Sequence, residues 1–357
     1  MKRKNSILAA AITLVMLFSM SACGGAGESP ASPEVTATVG SAAPGTEGQA
    51  AEPAEPVVID LVSTFPAGNV NYEAGKLIAD KVEELTNGQV KFNFLGGSEI
   101  FSGGAGAEAV MSGALDAVFT AADYFTGFVP EAAAICASDM TYAEMLASGG
   151  IDYINGIFTK HGVRLLYVVD EVGISGTQLF TNSIVSSLDD LKGMSIRTTG
   201  TVQGNILTAL GCTPTPLGLG EIFTGLEQGL IQGYCGPAYL GGAMGFFEYS
   251  KCVISTEIAR GGSSLLINED VWASIPADLQ MLLTDSLSEV NEAEVALYSE
   301  YVANNQKALT DAGGQIVELS EEDSDELSAL CMSYAGDGIE SSVDADTYEA
   351  LKKVFLK

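Results

Sequence analysis

The chain has 357 residues, 46 acidic and 16 basic, for a formal charge of −30, which argues against nucleic acid as a partner because binding there rests on Lys and Arg neutralising phosphates. With 17% charged and 47% hydrophobic residues it reads as globular rather than disordered, and it is long enough for two lobes rather than one core. A single histidine, His161, leaves little room for His-based zinc sites or His-dependent triads.

Lys2, Arg3 and Lys4 precede an apolar stretch from Ile7 to Met20, too short to cross a hydrocarbon core of ~30 Å as a helix. A basic start, a short apolar segment and then small residues read as a secretory signal. Its end, Met20-Ser21-Ala22-Cys23, resembles the bacterial lipobox, which implies removal of residues 1–22 and lipidation of Cys23 as the first mature residue. Residues 24–56 hold no aromatic residue, Leu or Ile, a composition that cannot bury enough apolar surface to fold. Residues 23–56 therefore read as a lipidated cysteine and flexible tether. The expected location is outside the cytoplasm, on the outer face of the cytoplasmic membrane (periplasmic or cell surface), held by the lipid alone. The folded part is expected to act as a monomer.

Val57–Ser63 is an apolar, β-branched run of strand length, and Tyr72–Leu85 carries helical spacing stopped by Asn87-Gly88. Strands are predicted at Gln89–Phe94, Leu115–Thr120 and Val163–Val169, with helical patterns from Pro130 to Lys160 between the last two. Alternating strands and helices imply an α/β lobe with parallel pairing. The theme repeats with strands at Thr177–Asn182, Met194–Thr198 and Leu230–Cys235 and helices at Thr201–Leu210 and Glu221–Gln228. Ser263–Asn268 is expected to cross back into the first lobe, and the long helical pattern from Pro276 to Ala312 to span both. The acidic run Glu321, Glu322, Asp323, Asp325, Glu326 reads as a solvated helix face rather than a metal site. Beyond Cys23 there are cysteines at 136, 212, 235, 252 and 331; none forms C-x-x-C, and buried free thiols are expected for most. No metal or cofactor is implied.

The segment from Leu188 to Pro237 closely resembles the extracytoplasmic solute-binding proteins of TRAP transporters, the DctP family. Leu191, Lys192, Gly193, Ile196 and Arg197 match its Leu-Lys-Gly-x-x-Ile-Arg run. Ala209-Leu210-Gly211, the Pro214/Pro216 pair, Glu221, Leu226, Gly229 and Gly233 continue the likeness. The resemblance implies a two-lobed periplasmic-binding-protein-like α/β fold with a long hinge-spanning helix. It assigns 57–175 plus 263–303 to lobe I and 176–262 plus 304–357 to lobe II. It also implies a non-enzymatic role: capture of a small organic carboxylate between the lobes and delivery to TRAP-type permease subunits. Delivery to an ABC importer or a sensor, and a lipoprotein enzyme acting on carboxylates, stay open as alternatives.

Only three arginines follow the signal, Arg164, Arg197 and Arg260. Arg197 ends a strand just before a helix, where ligands of open α/β sheets bind, and its fork suits a carboxylate. The family's matching Arg makes this contact. Many relatives carry a second Arg where this chain has Gln178, and Gly236 stands where the family has a site Asn. Both changes remove polar grip, which favours a monocarboxylate, aromatic or branched, over a C4-dicarboxylate or a sugar acid. Leu219, Phe65, Tyr124, Tyr234 and Tyr239 are the candidate lining residues. Gly218-Leu219-Gly220 lacks the continuation of a dinucleotide fingerprint, and Gly75-Lys76 is followed by Leu77, which excludes a P-loop.

Overall fold

The computed structural model describes residues 55–171 and 173–356, so the signal, Cys23 and nearly all of the tether lie outside the described residues. The chain enters β1 (Val57–Ser63), whose β-branched residues pair in parallel with β2 (Val90–Gly96) and with β3 (Ala117–Ala121). Between β1 and β2 runs α1 (Val70–Leu85), started by the Asn69 side chain accepting from the Asn71 amide. It stops where Asn87 and Gly88 both take positive φ, the geometry that the Asn-Gly pair predicts. After α2 (Gly104–Met111) and β3, the helical pattern over 130–160 breaks into α3 (Ala133–Ala137), α4 (Tyr142–Ala147) and α5 (Gly150–Phe158). Gly149 with φ of 77° separates the last two. β4 (Val163–Val168) then closes one edge of the sheet.

The second sheet collects β5 (Thr177–Thr181), β6 (Ser195–Thr198), β7 (Thr213–Pro216), β8 (Gly233–Pro237) and β9 (Cys252–Ala259). Helices α6 (Thr201–Ala209) and α7 (Ile222–Glu227) connect them. Period-two alternation covers both faces with separate apolar clusters. Leu179, Ile196, Cys235 and Ile254 lie on one; Phe180, Tyr234 and Val253 lie on the other. The chain returns through β10 (Ser263–Asn268), which crosses back to the first sheet and inserts antiparallel between β3 and β4. The expectation of parallel pairing throughout needs one correction. β5 and β10 run antiparallel to their neighbours, because each enters its sheet directly from the other lobe rather than through a crossover helix.

After α8 (Glu269–Ser274), the 35-residue α9 (Ala277–Asp311) packs on α1 and β4 of the first lobe and on β11 (Gln315–Val317) of the second. It is therefore the hinge-spanning helix. α10 (Glu321–Glu340) lies on α6 and β9 and also reaches α3. Residues 304–357 do not all belong to lobe II: α11 (Ala345–Phe355) packs on α3 and α5. Ile339, Leu351 and Phe355 bury themselves in the first lobe's core, and each buried side chain of this kind contributes ~1.5–3 kcal/mol. All five cysteines among the described residues are free thiols. No helix among the described residues is long and apolar enough to cross a membrane.

Candidate functional site

The carboxyl ends of β1–β4 and of β6–β9, with the starting ends of β5 and β10, lie at the sheet edges between which the two crossing segments 169–176 and 260–262 run. This is where open α/β sheets bind ligands. The crossings are held close. Glu257 accepts hydrogen bonds from the amides of Gly173 and Gly176, at 3.1 and 3.0 Å, and any side chain at 176 would strike its carboxylate. Desolvation pushes the Glu257 carboxyl up, and these two amides pull it back.

Arg197 sits in β6 with 6% of its surface exposed. Its Nε donates to the carbonyl of Leu217 and its Nη1 to that of Cys235, both at 3.0 Å. No carboxylate among the described residues lies within ion-pair distance of it. Burial lowers its pKa, and Asp123 and Tyr124, on the segment after β3, act on it through space. The other two arginines are spent structurally. Arg164 forms a two-pronged pair with Glu269 at 2.8 and 2.9 Å and lies over the Trp272 ring. Arg260 donates to the carbonyls of Met140 and Val169 and stands 3.8 Å from Asp170.

Gln178 and Gly236 face each other across the β5–β8 ladder. The Gln178 amide donates to the Ser255 carbonyl at 2.8 Å, so it is tied to the sheet. A Cβ at position 236 would come within 2.6 Å of Leu240 Cδ2, which explains why glycine stands there. Leu219, in the turn after the Leu217 carbonyl that holds Arg197, is exposed. Phe65 and Tyr124 bring their rings to 5.9 Å, with Tyr124 41% exposed. Tyr239 receives a hydrogen bond from Asn71 at 3.1 Å and packs edge-on against Tyr298. Tyr234 is not a lining residue. It is 0% exposed, stacked flat on Phe180 at 4.7 Å and met edge-on by Phe246, within the core of the second lobe.

Three polar residues of the cleft went unread in the sequence: Asn71, Asp123 and Glu171. Asp123 keeps an exposed surface while protein atoms crowd around its carboxyl. Loss of hydration first, then Glu171, push its carboxyl up to about 6, and Arg197 offsets part of this. Glu171 is 1% exposed, accepts from the Ser263 hydroxyl through Oε1, and has no hydrogen bond at Oε2. Burial raises its pKa, against the pull of Ser263 and Arg260. The available signal was positional: Asp123 and Glu171 each follow a strand's carboxyl end by a few residues. No group of three or more His, Cys, Asp or Glu among the described residues is disposed to hold a metal.

Residues 61–334 match the family described as bacterial extracellular solute-binding protein, family 7 (DctP). The monocarboxylate 2-oxoacid-binding periplasmic protein of Nostoc sp. is 25% identical over 73% of this chain and 74% of its own length. The sialic acid-binding periplasmic protein of Vibrio cholerae is 22% identical over 63% of this chain and 72% of its own. A TRAP periplasmic solute-binding protein from Rhodobacter sphaeroides shares the fold. Its TM-score is 0.72 at 20% identity, over 84% of this chain and 98% of that one. With the family's sequence pattern running through both sheets and the segments that join them, the chain belongs to the DctP family of extracytoplasmic solute-binding proteins of TRAP transporters, a family of binding proteins rather than enzymes.

Proposed function

We propose that this protein captures a small organic monocarboxylate between its lobes, with the carboxylate on Arg197, and hands it to TRAP permease subunits. The observation that carries the reading is the state of Arg197: buried, aligned by two main-chain carbonyls, and without an acidic partner among the described residues. A desolvated guanidinium already held in place by two carbonyls meets an incoming carboxylate with little reorganisation. The names of the relatives from Nostoc and Vibrio cholerae, a 2-oxoacid-binding and a sialic acid-binding protein, are consistent with an organic-acid ligand.

One guanidinium sets a limit. Hydrogen bonds to charged groups contribute ~1.5–3 kcal/mol each, and micromolar binding needs about 8 kcal/mol. Arg197 supplies roughly half, so apolar contacts from Phe65, Tyr124 and Leu219 and exclusion of water must supply the remainder. Gln178, already bonded to Ser255, adds no second cation, and Gly236 adds no side chain. This is the reason to favour one carboxylate over two. The same reading has the protein monomeric and tethered outside the cytoplasm through a lipid on Cys23.

The test is a calorimetric screen of monocarboxylates and C4-dicarboxylates, repeated with Arg197→Ala. Binding of a monocarboxylate weakened at least tenfold by the substitution supports the reading, and tight, selective binding of succinate or malate overturns it. For the anchor, Cys23→Ser should shift the protein from the membrane to the soluble fraction of its host. Unchanged membrane retention would reject lipidation.

A further inference from the structure

The acids around the cleft divide into those already committed and those that are not. Asp170 accepts from the Tyr142 amide beside Arg260, and Glu257 caps the amides of Gly173 and Gly176. Glu99 caps the Gly97 amide, and Glu221 that of Gly218. Two carboxyls remain. Asp123 has no side-chain partner among the described residues, only its own and the Tyr124 amide beside it. Glu171 keeps Oε2 unpartnered although almost wholly buried. Both lie within electrostatic reach of one another, and Asp123 within reach of Arg197. The strand-end segments that meet at the cleft carry no lysine.

A simple anion on Arg197 would satisfy the guanidinium and bring a new negative charge toward two acids. Asp123 has no cation near it among the described residues but Arg197 itself, and the cation beside Glu171 is Arg260, already bonded to Met140 and Val169. Such like-charge juxtaposition is how a binding site rejects a competitor. A ligand carrying a cation beyond its carboxylate meets the opposite situation. Its positive end gains the acids' attraction, and its zero net charge avoids the repulsion of a strongly negative protein.

We propose that the ligand is a zwitterion, an amino acid or a quaternary-ammonium acid, whose carboxylate is held by Arg197 of lobe II while its cationic group faces Asp123 and Glu171 of lobe I. The inference rests on the assignment of Arg197 to the ligand's carboxylate. It makes Asp123 the specificity-determining residue: a charge pair built from opposite walls is complete only when one molecule bridges them.

The experiment uses isothermal titration calorimetry at pH 7.5 on the folded protein with matched probes. Each amino acid is paired with the 2-oxo acid of the same side chain, for example leucine with 4-methyl-2-oxopentanoate and phenylalanine with phenylpyruvate. Glycine betaine and succinate complete the set. The expected result is that the best-bound probe is a zwitterion, at least tenfold tighter than its 2-oxo counterpart, and that Asp123→Asn narrows this gap at least tenfold. Glu171→Gln, more buried, should narrow it less; its melting temperature reports any folding loss. A 2-oxo acid or succinate bound more tightly than every zwitterion overturns the inference, as does a gap that Asp123→Asn leaves unchanged. Arg197→Ala separates the two readings. If it weakens the 2-oxo acid and its amino acid alike, the carboxylate assignment stands whatever becomes of Asp123; if it weakens neither, that assignment fails first.

Discussion

Asn71 of the first lobe donates its side-chain amide to the hydroxyl of Tyr239 in the second, at 3.1 Å, and so ties the start of α1 to the segment that leaves β8. The same Asn71 carbonyl accepts from the hydroxyl of Tyr298 on α9, and the Ser263 hydroxyl lies 3.3 Å away. One side chain therefore joins lobe I, lobe II and the hinge helix beside Glu171. Each partner is nearly or half buried, and an unmade bond there costs the full desolvation of the orphaned group.

Removing the Tyr239 hydroxyl should show this. Tyr239→Phe leaves the Asn71 donor unmatched and is expected to cost about 1–2 kcal/mol. Asn71→Ala should cost more, because Tyr298 loses its acceptor too. The double substitution should be no worse than Asn71→Ala alone, which urea unfolding of the four proteins would check. Additive losses would mean that the two side chains contribute independently.

Charge alone should not be enough at position 197. Arg197→Lys keeps the cation but cannot reach both the Leu217 and Cys235 carbonyls and still present a planar fork. Ligand affinity is expected to fall at least tenfold for Lys and further for Ala, with melting shifts of only a few degrees. Arg164→Ala supplies the contrast. It breaks the half-buried pair with Glu269, away from the cleft, so stability should drop while affinity stays within twofold.

Most of the scaffold was legible because it rests on run length and period. The strand at Val57 is a short β-branched run, that at Ser263 is a short run with Leu265, Leu266 and Ile267 at its centre, and α9 is a pattern too long for an ordinary helix. β7 escaped notice because it contains Pro214 and Pro216, which a strand tolerates only at the sheet edge it occupies. The docking of α11 on lobe I depends on Leu351 and Phe355 finding a surface that no local pattern encodes. At the site, Arg197 stood out because arginine is scarce. Asn71, Asp123 and Glu171 did not, since a lone polar residue past a strand has no spacing signature. Tyr234 belongs to the core instead, because a tyrosine in a strand carries the same local pattern whether its ring lines a site or stacks inside, as this one does on Phe180.

Restoring the family's asparagine should damage this chain rather than improve it. At Gly236 the first added carbon meets Leu240 at 2.6 Å, a distance that requires one of them to move. Gly236→Ala is expected to destabilise by about 1–3 kcal/mol, the usual range for overpacking. Adding Leu240→Ala should recover part of the Gly236→Asn loss if the clash is the cause. A Gly236→Asn protein as stable as the parent in thermal unfolding would show that the segment after β8 yields more easily than its packing suggests.

Glu294 gives a stability effect with a defined sign. It lies on α9, is 0% exposed, and neither carboxylate oxygen finds a hydrogen-bond partner. Burial, with Glu171 and Asp170 adding and Tyr167 opposing, pushes its carboxyl up to about 8 from an ordinary 4.5. The folded state therefore keeps a proton that the unfolded chain releases between those values. Through that window the unfolded state binds fewer protons, so stability falls as pH rises, by at most about 1.4 kcal/mol per unit, and levels off above 8. Glu294→Gln carries no such proton, so its stability should decline less between pH 5 and pH 8, and the variant should gain on the parent at the alkaline end. Urea unfolding at the two pH values measures both slopes; equal slopes would mean that Glu294 is charged in the fold and neutralised by a neighbour. A proton lost from Glu294 places an uncompensated charge where α9, the element both lobes share, packs against Tyr167.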